Sequence, residues 1–244
     1  MSEQSPVVVL VHGAFAESAS WNGVIENLHA QGVDAVAVAN PLRSVPGDAA
    51  YLRDVIAGLG RPVLLVGHSY GGIVITEAAA DNPAVVGLVY VAAFAPDTGE
   101  SALQLSTSVP GSTLGEALLA YPVSTGGNEF TIRLDRFWDQ FAADVPLAVA
   151  ETMGRTQRPV TEHALGEGLP TGNPAWKTRP SWFVFGDWDR NIPPAALRAQ
   201  AERAGARGIR EVAGASHAIG VSRPDEVSSA ILYALADVAA AAAA

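Results

Sequence analysis

Short valine-rich runs alternate along the chain with longer amphipathic stretches, and no other feature restricts the fold as much. The runs are Val7–Val11, Ala35–Ala39, Val63–Val66, Val85–Val91, Trp182–Phe185 and Ile209–Val212. Most are continuously apolar, as expected of strands covered on both faces, and so of a parallel sheet. Between them the pattern predicts helices at Ser20–Gln31, Asp48–Leu59, Gly71–Asp81, Pro194–Ala204 and Pro224–Ala236, several opening on Pro or Asp and closing near Gly. Strand–helix alternation specifies a doubly wound, mostly parallel α/β sheet. It fails across residues 96–179, where Gly, Pro, Ser and Thr are frequent and the recognisable pieces, Arg133–Ala143 and Val145–Met153, read as helices. An insertion after a strand end lies over the carboxyl edge, where open α/β sheets bind ligands. The expected organisation is therefore a core from residues 1–95 and 180–244 with a helical lid from 96–179. At 244 residues one domain suffices.

Composition removes several classes of function. Fifteen Lys and Arg against 25 Asp and Glu give a formal charge of −10, which repels phosphate backbones and anionic lipid. The densest basic stretch, Arg198–Arg210, is interrupted by Glu202 and reads as a solvated helix face, so nucleic acid is not expected as a partner. With no cysteine, a thiol nucleophile, thiolate metal sites and disulfides are excluded. The polar, acidic opening Met1–Pro6 lacks the features of an export signal, and no apolar run reaches the roughly 20 residues of a membrane span. A cytoplasmic protein with no membrane partner is the expectation. The run Ala239–Ala244 is low-complexity and is given no function.

The chemistry concentrates at Gly67-x-Ser69-x-Gly71, which directly follows one apolar run and precedes a helix. That context is a nucleophile elbow: the serine sits in a strained turn at a helix N-terminus, and side chains two positions away on either side would collide with neighbouring backbone. A serine hydroxyl is a poor nucleophile until a base removes its proton. Of five histidines, His12 and His68 are expected to be structural, and His29 and His163 to face solvent. His217 follows the last apolar run through Ala213-Gly-Ala-Ser, at the carboxyl edge of the sheet, and is the expected base. A carboxylate must hold its tautomer. Trp182-Phe-Val-Phe-Gly-Asp-Trp-Asp offers two; Asp189 is preferred because it lies further along the loop, and Asp187 stays as the alternative. Oxyanion donors are expected from the Tyr70 N–H and from His12-Gly-Ala-Phe15, with Ala14 first and Phe15 second.

Together VLVHGAF at Val9–Phe15, GHSYGG at Gly67–Gly72, GDWDRNIP at Gly186–Pro193 and GASH at Gly214–His217 resemble the α/β-hydrolase superfamily across the whole core. Within it, the short start and the HGAF…SW opening resemble bacterial carboxylesterases related to the plant methylesterase and hydroxynitrile lyase group. The resemblance implies the α/β-hydrolase fold, the chain order Ser69, Asp189, His217, and a Ser-His-Asp mechanism without metal or cofactor. The lyases of that group carry a lysine beside the catalytic histidine where this chain has Ala218, and haloalkane dehalogenases need an aspartate at the position of Ser69.

The expected function is hydrolysis of small-molecule carboxylic esters through an acyl-enzyme. Two alternatives remain at the level of sequence: cofactor-free haloperoxidase-like perhydrolysis, and a hydrolase-fold receptor with little turnover. Phe15, Tyr70, Phe94 and Trp138 are expected to line the substrate pocket, with Trp21 and Phe141 as further aromatic candidates. Oligomeric state is open, a homodimer included.

Overall fold

A computed structural model describes residues 5–243. Most of the polar opening, Met1–Gln4, and the terminal Ala244 lie outside the described residues.

The core begins with β1 (Val7–Val11), a 3-10 turn at Ser18–Trp21, α1 (Asn22–Ala30) and β2 (Ala35–Val38), then α2 (Val45–Leu59), β3 (Val63–His68), α3 (Gly71–Ala78) and β4 (Val85–Val91). The insertion follows: α4 (Ala102–Ser106), α5 (Leu114–Ala117), β5 (Leu118–Pro122), β6 (Asn128–Ile132), α6 (Leu134–Phe141), α7 (Leu147–Thr156), β7 (Val160–Thr161) and α8 (Glu162–Gly166). The core resumes with β8 (Ser181–Gly186), α9 (Pro194–Arg203), β9 (Gly208–Val212), α10 (Ile219–Ser222) and α11 (Pro224–Ala243).

The six core strands form one parallel sheet in the order β2-β1-β3-β4-β8-β9. Every residue of β1, β3 and β8 is buried, as their unbroken apolar runs require, so both faces of the central sheet are covered. One set of covering helices joins α1, α10 and α11, and another joins α2 to α3. Helix α2 shows the local logic of its boundaries. The Ser44 side chain accepts from the Gly47 N–H, Pro46 sits in the first turn, and Gly60 ends the helix at φ 60°. After β1 the chain moves outward to β2, then returns to the other side of β1 for β3. That reversal opens a crevice above the carboxyl ends of β1 and β3, the usual ligand position in such sheets.

Two expectations change. The insertion is not simply helical, because β5, β6 and β7 form a three-stranded antiparallel sheet. Its β5–β6 hairpin turns at Gly126 and Gly127, both at positive φ, and of the residues in its two strands only Ile132 is buried. Second, α11 runs past the expected end at Ala236 to Ala243, and with an 18-residue window of mean hydropathy 1.4 it is long and apolar enough by length and composition to cross a membrane. Its alanines raise the hydropathy without forming a continuous run of large side chains. In the fold its Val227, Ile231 and Ala234 are buried, and it packs against β4 and β8.

Candidate active site

The crevice above β1 and β3 is where the chemistry-bearing residues gather. Ser69 follows β3 with φ 53°, in the left-handed region, which costs a non-glycine residue about 1 kcal/mol and places its side chain at the N-terminus of α3. The backbone can turn so tightly only because of its glycines. A Cβ on Gly67 would lie 2.6 Å from the Gly71 carbonyl oxygen, and one on Gly71 would lie 2.4 Å from the Val11 carbonyl oxygen. The elbow is therefore interlocked with β1 through main chain alone.

Beside it, the turn after β1 carries the expected oxyanion donors. His12 closes that turn: its Nδ1–H donates to the Gly13 carbonyl at 2.9 Å, while its Nε2 accepts from the Asn40 N–H at 3.0 Å. Burial lowers the His12 pKa from 6.5 to about 4, so the ring is neutral. Of the two donors in that turn, the Phe15 N–H is occupied, donating to the Arg158 carbonyl at 3.2 Å. Among the described residues, neither the Ala14 nor the Tyr70 N–H has a protein acceptor. The Tyr70 hydroxyl donates to Asp48 Oδ2 at 3.0 Å; burial first, then the Asp48 charge, drives its pKa well up, and burial raises that of Asp48.

The histidine and its carboxylate come from the other half of the sheet. His217 Nδ1 lies 2.7 Å from Asp189 Oδ2, and both side chains are wholly buried, with 0% exposure. A carboxylate oxygen can only accept, so Nδ1 carries a proton, and in the neutral ring that leaves the lone pair on Nε2. The other Asp189 oxygen accepts the N–H groups of Asn191 at 2.8 Å and Ile192 at 2.9 Å, which fixes the carboxylate plane. Asp187 is not brought to the histidine; it is exposed and accepts the Gly214 N–H.

The two halves meet through His68. Its Nε2–H donates to the His217 carbonyl at 3.0 Å, and the two imidazoles sit 4.7 Å apart between centroids. Burial, and then the nearby His217, holds the His68 pKa well below the ordinary value. Ser69 is the next residue along the chain from His68, so the elbow that carries it lies beside the His217 loop. The His217 Nε2 is buried and has no hydrogen-bond partner, Ser69 included. His29 and His163 are exposed, on α1 and α8.

Ser69 opens into a mostly apolar cavity of about 300 Å³. Ala14, Phe15, Tyr70 and Phe94 line its core side, as expected for the last three. Residues of the insertion, among them Leu103, Leu114 and Leu165, line the other. Trp138 requires correction: it is 43% exposed on the outer side of α6, with its Nε1–H donated to the Val145 carbonyl, and does not line the cavity. The helix buries Phe137, Gln140 and Phe141 instead, and Trp138 falls off that face. Trp21 and Phe141 lie behind the site, each edge-on to His68. Ser112, Thr113 and Asn191, which the sequence reading did not single out, also reach the cavity.

Proteins of known structure share this architecture. Polyneuridine aldehyde esterase superposes with a TM-score of 0.79 at 20% identity, covering 97% of this chain and 100% of that one. The pyrethroid hydrolase from Sphingobium faniae JZ-2 gives a TM-score of 0.72 at 23% identity, with 94% and 97% covered. At these identities the likeness is one of fold. The alpha/beta hydrolase nvfD of Aspergillus novofumigatus (strain IBT 16806) is 37% identical over 115 residues, a stretch spanning 39% of this chain and 46% of that protein's length. The model of the alpha/beta hydrolase family matches residues 8–230, nearly the whole sheet with the insertion, and the chain belongs to that family.

Proposed function

We propose that this hydrolase cleaves carboxylic esters through an acyl-enzyme on Ser69. Ser69 Oγ attacks the ester carbonyl while His217 Nε2 takes its proton, and the resulting imidazolium is offset by Asp189. The tetrahedral oxyanion is held by the Ala14 and Tyr70 N–H groups, supplemented by the N-terminus of α3. His217 then returns the proton to the leaving alcohol, and in the second half it activates the water that frees the acid.

The observation that carries this reading is the buried Asp189–His217 pair, which leaves an unpartnered Nε2 beside the elbow that presents Ser69. Ala14 is favoured over Phe15 as second donor because the Phe15 N–H is already bonded to Arg158. The apolar cavity suits an unbranched acyl chain. Each buried methylene contributes about 0.8 kcal/mol, so p-nitrophenyl butyrate should exceed the acetate in kcat/KM by about tenfold.

Purified protein is assayed on both esters beside Ser69→Ala, with circular dichroism to verify the fold of each. Turnover that disappears in Ser69→Ala is the expected result. Equal turnover in the two proteins would place the chemistry elsewhere, and no turnover in the wild type would remove the esterase reading.

A further inference from the structure

The acid and the base of the site stand on two separate loops, after β8 and after β9. Near the strands the loops are joined directly: the Asp187 N–H donates to the Val212 carbonyl at 3.2 Å, and the Trp188 N–H to the Ala215 carbonyl at 3.1 Å. Further out, next to Asp189 and His217 themselves, both loops are held by a third element, the end of α6 in the lid insertion.

Gln140 takes the acid loop. It is buried, and its Nε2–H groups donate to the Arg190 carbonyl at 3.0 Å and to Asn191 Oδ1 at 2.8 Å. Its Oε1 accepts from the Thr113 hydroxyl at 2.8 Å. Arg190 and Asn191 are the two residues after Asp189, and the Asn191 N–H is one of the donors that fix the Asp189 carboxylate.

Phe141 and Asp144 take the histidine loop. The Phe141 carbonyl accepts the Ala218 N–H at 3.0 Å, and its ring stands edge-on to His217 at 5.0 Å. Asp144 Oδ1 accepts the Ser216 N–H at 3.2 Å and the Ser216 hydroxyl as well. The other oxygen of Asp144, whose side chain is 5% exposed, faces Arg223 Nη1 at 3.3 Å. His217 is thus gripped through the residues on both sides of it.

We propose that the segment Gln140–Asp144 is a brace that sets the acid loop and the histidine loop in register, with Gln140 and Asp144 as positioning residues for the Asp189–His217 pair. The inference rests on the esterase reading only for its kinetic readout. Neither residue lines the cavity, so neither is placed to act by holding substrate. A misplacement of about 1 Å at a reacting group lowers rate by about a hundredfold, which is the scale on which such a brace acts. It also makes the lid part of the catalytic frame: displacing α6 shifts acid and base together.

The test compares wild type with Gln140→Leu, which keeps the bulk and removes three hydrogen bonds, Asp144→Ala, and Asp144→Asn, which retains a carbonyl acceptor for Ser216. On p-nitrophenyl butyrate, kcat should fall by about ten- to a hundredfold in Gln140→Leu and Asp144→Ala, with KM within about threefold. Asp144→Asn should recover most of the loss. Proton NMR of the His217 Nδ1–H, followed without substrate, should show the downfield resonance of the paired state in wild type and Asp144→Asn, and a broadened or missing one in the other two. Unchanged kcat, a rise in KM alone, an Asn variant as impaired as the Ala variant, or an unaltered resonance would each overturn the brace. If Asp144→Ala does not fold, Gln140→Leu decides by the same readouts. If the wild type hydrolyses no ester, the esterase reading fails by itself, and the resonance still decides the brace.

Discussion

Acidification should destabilise this protein through His12 in the range above the usual carboxylate pKa values. In the fold the ring donates to the Gly13 carbonyl and accepts from the Asn40 N–H, so a second proton would leave that N–H without an acceptor and bury a charge. The folded pKa is accordingly about 4 against 6.5 when unfolded. Between those values the unfolded chain binds a proton that the folded chain does not, so stability falls as pH falls. The contribution is fully present above 6.5 and is lost on the way down to about 4. One proton corresponds to about 1.4 kcal/mol per pH unit, hence about 2 kcal/mol from pH 6.5 to 5 and about 3 kcal/mol over the whole window. His68, whose pKa is lowered in the same direction by burial, steepens the fall further. Urea unfolding followed by tryptophan fluorescence, at pH values from about 7 to about 5, measures the slope. His12→Gln offers a donor and an acceptor but no titrating site. Whatever its absolute stability, its slope between about pH 7 and about pH 5 should be shallower than that of the wild type by about 1 kcal/mol per unit on average. Parallel slopes would refute the reasoning.

Two further outcomes follow from the site. Asp189→Asn keeps an acceptor for Asn191 and Ile192 but turns an amide toward His217, imposing the tautomer with the proton on Nε2; kcat should drop by about 10³- to 10⁴-fold, while Asp187→Asn stays within about threefold, as ester assays on both variants would show. Because Ser69 sits at φ 53°, Ser69→Gly should be more stable than Ser69→Ala by about 1 kcal/mol in urea unfolding, both lacking the hydroxyl.

The central strands of the core are legible in the sequence because they are buried on both faces: Val7–Val11 and Val85–Val91 have the bounds expected of them. Where one face is open, the signal weakens. Leu118–Pro122 overlaps an apolar run, Ala117–Tyr121, but lies largely exposed, and Asn128–Ile132 alternates over too few residues to stand out, so the Gly126-Gly127 pair between them is the clearer hairpin signal. Residue type alone favours Trp138 for the pocket, yet the helical spacing of Phe137, Gln140 and Phe141 puts it on another face. Asp189 and Asp187 differ by two positions in one loop, and only the path of that loop separates the buried partner of His217 from the exposed residue that meets Gly214. The ties from Gln140 and Asp144 join segments some 50 to 70 residues apart in sequence and leave no local trace.

The glycines of the elbow have a consequence for how this scaffold changes. The hydroxyl at position 69 is located by carbonyl groups of β1 pressed against bare α-carbons, with no side chain in between. Its coordinates are therefore insensitive to replacements among the leucines that roof the cavity, and the choice of acyl group can drift while the point of attack stays where it is.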